Sequence, residues 1–225
     1  MNIIKGPNTV FTSVCGLLGT IALTLYFVAT FTFLPLPPPT ATSSEIIDFG
    51  TKYHTSILID TWLQQIGTIL SVIFALALTH LANVSQTFAG KLTLLTSTVI
   101  VSLSLAEGTF VLGAVQAGNS GHPESALTCF VLSNVFIHIF LLALSLFLML
   151  GFALMKSIIL PRSFITIAIV LGVLFQSLGV ISLFNEKCLV LVIGVLMLQN
   201  LWTIAAAIIL LSKKGNPTNN ALRAT

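Results

Sequence analysis

The chain has 225 residues, of which 56% are hydrophobic and only 7% charged, with a formal net charge of +3. Soluble domains carry about 25% charged residues, so this composition excludes a water-soluble surface over a chain of this size. No basic patch or aromatic-basic interleaving occurs, which removes nucleic acid from the expected partners.

Six apolar stretches follow one another: Val10–Leu34, Ser56–Ala82, Leu92–Ala117, Ala126–Met155, Ser163–Phe184 and Leu189–Leu211. A helix rises about 1.5 Å per residue, so about 20 apolar residues cover a hydrocarbon core about 30 Å thick. Each stretch is long enough. The expected fold class is therefore all-α, a polytopic membrane protein with six transmembrane helices in an antiparallel bundle. Residues 1–212 form the single transmembrane domain, and residues 213–225 a polar, disordered cytoplasmic tail.

The first stretch ends at Leu34-Pro35-Leu36-Pro37-Pro38-Pro39, because proline lacks an amide donor and disfavours helix in the residue before it. Beyond it, Ser43-Ser44-Glu45 offers the cap of a short interfacial helix through Asp48, with Ile46, Ile47 and Phe49 toward lipid; a plain loop is the alternative. The remaining connections are short: Asn83–Gly90, the Gly118–Pro123 turn cluster, Leu160-Pro161-Arg162 and Asn185-Glu186-Lys187. Short links make sequential helices antiparallel neighbours.

Basic residues fix the expected orientation. With six alternating spans, Lys5, Lys91, Lys156, Arg162, Lys213, Lys214 and Arg223 share one side, and only Lys52 and Lys187 lie opposite. The positive-inside rule places the richer side, and with it both termini, in the cytoplasm. The expected location is the cell's inner (plasma) membrane. Cys15, Cys129 and Cys188 are scattered and read as packing residues, not a disulfide or zinc framework. Gly16, Gly19, Gly172, Gly179 and Gly194 read as sites of close helix packing.

Several short motifs resemble an uncharacterised family of bacterial six-span integral membrane proteins. They are Gly16-Leu17-Leu18-Gly19 before the proline-rich loop, Gly67-Thr68-Ile69-Leu70 with Phe74-Ala75-Leu76-Ala77-Leu78, and Leu160-Pro161-Arg162 leading into a span with Gly172. Phe164 stands where that family often has tryptophan after Pro-Arg. The resemblance implies a fold and a location, and no catalytic residues.

Polar residues inside the spans carry the functional question. Asp60, Gln64, Glu107, Asn134, His138, Gln176 and Asn200 fall at similar depth if the helices alternate, forming one polar layer in the outer half. A charged side chain near mid-membrane costs at least about 2.5–3.5 kcal/mol on insertion scales, so Glu107 should face the bundle interior. His138 is the candidate cation at its depth, and a Glu107–His138 pair would relay protons or hold a polar group. Asn134 and His138 share a helix face, as do Asp60 and Gln64. The competing account for the amides is helix glue, worth about 0.6 kcal/mol per contact.

Catalytic signatures are weak. Gly118-Asn119-Ser120-Gly121 is similar to the rhomboid protease signature, yet no histidine follows His138 to act as base. No cofactor and no metal is expected. The leading expectation is a non-enzymatic protein that binds or moves a small amphiphilic molecule in an outward-facing polar pocket, with proton coupling through Glu107. A structural or assembly subunit and a lipid-modifying enzyme using Glu107 and His138 are the alternatives. The expected partners are the lipid bilayer and a small amphiphilic ligand, with homo- or hetero-oligomerisation left open.

Overall fold

The computed structural model describes residues 7–34, 37–38, 40–185 and 188–214. Among the described residues the regular structure is entirely helical: α1 (Pro7–Thr32), α2 (Ser43–Lys52), α3 (His54–Leu81), α4 (Phe88–Asn119), α5 (Pro123–Leu142), α6 (Leu146–Leu154), α7 (Arg162–Ser182) and α8 (Leu189–Lys214). Counting α5 with α6 as one passage, six segments are long and apolar enough to cross a membrane. This is the layout of a multi-pass membrane protein. Of the tail expected at residues 213–225, Lys213 and Lys214 continue α8, and residues 215–225 lie outside the described residues.

The distribution of polarity matches hydrocarbon solvent. Along α1, Phe11, Val14, Leu18, Ile21, Leu25 and Val28 are exposed as one stripe, while Ser13 and Thr20 are fully buried. Those buried hydroxyls bond to backbone carbonyls four residues earlier, Ser13 to Thr9 at 3.0 Å and Thr20 to Gly16 at 2.8 Å. A helix can hide a hydroxyl in this way without a partner from elsewhere.

The loops end the helices by recognisable chemistry. After α3, Asn83 takes a positive φ of 55°, its amide bonds to His80 O at 3.0 Å, and the Val84 amide bonds to Thr79 O at 3.0 Å. This is a Schellman cap, with asparagine tolerating the left-handed position. Gly121 (φ 75°) does the same after α4, with bonds from Gly121 to Gly118 O and from His122 to Ala117 O.

Two expectations about the helices themselves change. The short helix after the proline run is α2, and it reaches Lys52 rather than Asp48. Thr42 is its N-cap: the Glu45 carboxylate accepts from the Thr42 amide at 2.7 Å, and the Thr42 hydroxyl accepts from the Glu45 amide at 3.4 Å. The result is a capping box. Its Ile46 and Gly50 are buried, not turned to lipid, because α2 packs on α3, α4 and α5.

The second change concerns the stretch Ala126–Met155. It is not one helix, because the chain breaks at Ala143–Ser145 between α5 and α6. Gln176 of α7 occupies the break: its side-chain oxygen accepts from the Ser145 amide at 3.0 Å, and its side-chain nitrogen donates to Leu142 O at 3.3 Å. The Ser145 hydroxyl caps α6 by accepting from the Leu148 amide at 3.5 Å. Close approach of α7 makes this arrangement fit. A Cβ on Gly172 would lie 2.4 Å from Leu148 N, and one on Gly179 would lie 2.3 Å from Leu141 O.

The main apolar core joins Phe74 and Leu78 of α3, Leu150 and Leu154 of α6, Ala168 and Phe175 of α7, and Val192 and Trp202 of α8. Trp202 donates its indole N–H to Phe164 O at 2.8 Å and stands edge-on to Phe147. Gly16 and Gly19 do bring α1 against α3: a Cβ at Gly16 would lie 2.7 Å from the Phe74 ring. Gly194 corrects the packing reading, since a Cβ there would meet nothing within 4 Å. A second, smaller apolar cluster of Leu34, Ile57 and Val115, with Phe49, Tyr53 and Val111 against it, bounds the cavity described next.

Candidate functional site

A cavity of about 180 Å³ lies between α1, α2, α3, α4 and α5. Asp60 and Gln64 reach it from α3, Glu107 from α4, Asn134 from α5, and Tyr26 and Thr30 from α1. The spacing of Asp60 and Gln64, one helical turn apart, puts both on the face of α3 that meets the cavity.

Both acids are more than nine-tenths buried, at 8% exposure each. Asp60 accepts through Oδ2 from the Thr30 hydroxyl at 2.7 Å, while its Oδ1 is buried with no hydrogen-bond partner. Glu107 accepts through Oε2 from the Gln64 side-chain amide. The neighbouring Gly108 makes that contact sterically feasible. A Cβ there would lie 2.0 Å from Gln65 Nε2 and 3.1 Å from Thr61 Cγ2, so glycine lets α3 and α4 close on each other. Farther along the seam, Ser104 Oγ and Thr68 Oγ1 lie 3.5 Å apart.

The rest of the wall is largely apolar and aromatic: Ile46 and Phe49 of α2, Ile57 of α3, Val111 of α4 and Phe130 of α5 contribute. Among the described residues, no lysine, arginine or histidine lines the cavity. Lys52, at the end of α2, holds its ammonium 5.2 Å from the Tyr53 ring centroid, and neither residue lines the cavity. Among the described residues, the cavity therefore joins two carboxyl groups to a hydrophobic wall without a cationic side chain.

Four of the seven sequence candidates meet here, namely Asp60, Gln64, Glu107 and Asn134. His138, Gln176 and Asn200 do not line the cavity, so the expected polar layer is divided. Glu107 is bonded to Gln64, and His138 is not the partner found for it: its Nδ1 is buried without a hydrogen bond. Gln176 serves the α5–α6 break. Asn200 has its Nδ2 buried and unpartnered, while the adjacent Gln199 donates to Leu171 O at 3.4 Å. The reason is helix rotation. The face of α5 turned to the cavity runs through Phe130, Ser133, Asn134 and Ile137, leaving His138 past its edge.

Tyr26, Thr30, Thr61 and Ser133 also belong to the wall and were missed from sequence. Hydroxyl residues in membrane helices usually bond to their own backbone, as Ser133 does to Phe130 O at 2.7 Å, so their composition alone carries little signal. The spacing of Thr61, Gln64, Gln65 and Thr68 against Ser104, Glu107 and Gly108 was the available one, marking a small-and-polar seam on two helices. Among the described residues, no three of His, Cys, Asp and Glu come together in a way that would hold a metal ion.

No family model, no curated protein and no solved structure matches the chain.

Proposed function

We propose that this protein is a multi-pass protein of the inner (plasma) membrane that binds a small amphiphilic molecule in the cavity between α1, α2, α3, α4 and α5, and moves it with Glu107 as the proton-carrying group. One observation carries the reading: a cavity of about 180 Å³ contains two buried carboxyl groups, one with an unpartnered oxygen, against an apolar wall. Ligand sites combine mostly hydrophobic lining with a few placed polar groups in this manner. An engineered cavity of about 150 Å³ admits benzene, so this one has room for a ring-sized or short-chain group. The rest of an amphiphile would extend toward the helix surfaces and lipid.

The orientation follows from charge. The excess of lysine and arginine on one set of connections supports an antiparallel bundle with both termini in the cytoplasm, and it puts α2 and the cavity on the outer side. A reporter active only in the periplasm, fused after Thr225, should stay silent; a strong signal reverses the orientation.

Gln176 and Gln199 favour the glue account for themselves, since each bonds to backbone of a neighbouring element. An enzymatic role for Glu107 with His138 lacks the shared cavity it would need. The direct test is a stabilisation screen of the purified chain with small amphiphiles, because a ligand that binds only the folded state raises apparent stability by about 2.7 kcal/mol at 100 times its Kd. A hit should be lost when the cavity is filled by Ser133→Phe. If every hit survives that substitution, the cavity is not the binding site.

A further inference from the structure

We propose that the group received by this cavity is an organic ammonium bearing at least one N–H, attached to an apolar chain or ring; this rests on reading the cavity as a ligand site. The argument starts from Asp60. Asp60 is a lining residue of the cavity; its Oδ2 is engaged by Thr30, but its Oδ1 is buried and has no donor. A buried carboxyl oxygen without a donor is costly, and the natural complement is a donor carried by the occupant. Glu107 is the second carboxyl of the wall, and among the described residues no lysine, arginine or histidine lines the cavity to balance either.

Charge selects against the other head groups. A carboxylate or phosphate would face two acids with no cation among the described lining residues. A neutral alcohol can donate to Asp60 Oδ1 but gains nothing from the charge. A bare divalent ion demands 6–8 oxygen ligands for calcium or a near-octahedral shell for magnesium. Here both acids already accept from protein donors, no third acidic or histidine group among the described residues converges on them, and Ile46, Phe49, Ile57 and Phe130 supply only hydrocarbon. The same hydrocarbon suits the tail of an amine. Tyr26, Phe49 and Phe130 put aromatic side chains in the wall, and aromatic rings attract cations. A quaternary ammonium would satisfy the charge but leave Asp60 Oδ1 without its donor, which is why an N–H is specified.

The test uses the full-length purified chain in detergent and four probes of matched tail: hexylammonium, hexyltrimethylammonium, hexanol and hexanoate. Binding is read by calorimetry and by shift in unfolding temperature. A hydrogen bond between charged partners is stronger than a neutral one, so hexylammonium should bind about tenfold or more tighter than hexanol. It should also exceed hexyltrimethylammonium, and hexanoate should be weakest. In Asp60→Asn the preference of hexylammonium over hexanol should collapse. Thr30→Val, which keeps the carboxyl and frees its second oxygen, should retain that preference and covers the case in which Asp60→Asn does not fold. Equal or better binding of hexanol or hexanoate overturns the ammonium assignment while leaving the cavity a ligand site. A preference for hexylammonium that persists in Asp60→Asn also overturns it. Failure of all four probes overturns this inference, and failure of the wider amphiphile screen with it overturns the ligand-site reading as well. Stabilisation by calcium or magnesium chloride above that by hexylammonium assigns the acids to a metal instead.

Discussion

Replacing Gln176 by leucine removes two hydrogen bonds while keeping a side chain of similar bulk between α5, α6 and α7. The Ser145 amide loses an acceptor at 3.0 Å and Leu142 O loses a donor at 3.3 Å. Neither group has a helical partner to return to, because the chain between them is not helical. Inter-helix hydrogen bonds in membrane proteins average about 0.6 kcal/mol, with a maximum near 1.7, so two give about 1–3 kcal/mol. Backbone groups left bare in hydrocarbon push toward the upper end. Unfolding of the purified protein in mixed micelles measures the total, and hydrogen exchange at the Ser145 amide measures the local effect. The expected result is a loss of about 1–3 kcal/mol with faster exchange at Ser145. Ser145→Pro removes the same donor from the other side, so Gln176→Leu should cost less in that background than in the wild type. A Gln176→Leu protein with unchanged stability and unchanged Ser145 protection would show that the break is held by other means.

Gly172→Ala should destabilise by about 1–3 kcal/mol, because its Cβ would meet the backbone of Leu148 at 2.4–2.6 Å and no rotamer can relieve that; Gly194→Ala, with open space around it, should be neutral or gain up to about 1 kcal/mol. Equal effects at the two positions in thermal unfolding would refute the packing argument. Trp202→Phe should cost about 1 kcal/mol by removing the bond to Phe164 O, and a neutral outcome would mean that water replaces that donor. The Thr42 amide and hydroxyl beside Glu45 hold its carboxyl below the ordinary value of 4.5. A lowered folded-state value contributes stability that is present above 4.5 and lost as pH falls through the lowered value. The stability difference between wild type and Glu45→Gln should therefore shrink on acidification through that window; a difference independent of pH refutes the capping contribution.

The parts of this molecule legible in sequence are those set by local chemistry. Six apolar runs of sufficient length mark the spans within a few residues, since the hydrocarbon requirement is met by each run alone. The cap of α2 was also within reach: Thr42 stands three residues before Glu45, which is the capping-box spacing. The break at Ala143–Ser145 was not. Leu141-Leu142-Ala143-Leu144-Ser145-Leu146 contains neither glycine nor proline, and what stabilises the interruption is Gln176, more than 30 residues away, with Gly172 and Gly179 giving it room. The candidate site divides on the same line. Asp60 with Gln64 follows from spacing on one helix. Glu107 with Gln64 rather than His138 depends on how α5 is rotated against α4, which no single helix encodes.

The Glu107–Gln64 contact gives the sharpest separation between function and glue, because its two ends are not equivalent. Glu107→Gln removes a buried charge and leaves an amide oxygen that can still accept from Gln64, so stability should be unchanged or raised. Gln64→Leu removes the donor and leaves the carboxyl in an apolar wall without it, so stability should fall. If the contact only bridges α3 and α4, any effect of Glu107→Gln should fall on stability and leave ligand response intact. If Glu107 carries charge or a proton for a ligand, the same stable variant should lose ligand binding or proton coupling. The two measurements are independent, and stability comes first because it needs no ligand. A marked loss of stability in Glu107→Gln, with ligand response intact in the surviving protein, assigns Glu107 to the scaffold. A stable Glu107→Gln that no longer responds to ligand assigns it to the work of the cavity, since nothing structural would then be left to explain the loss.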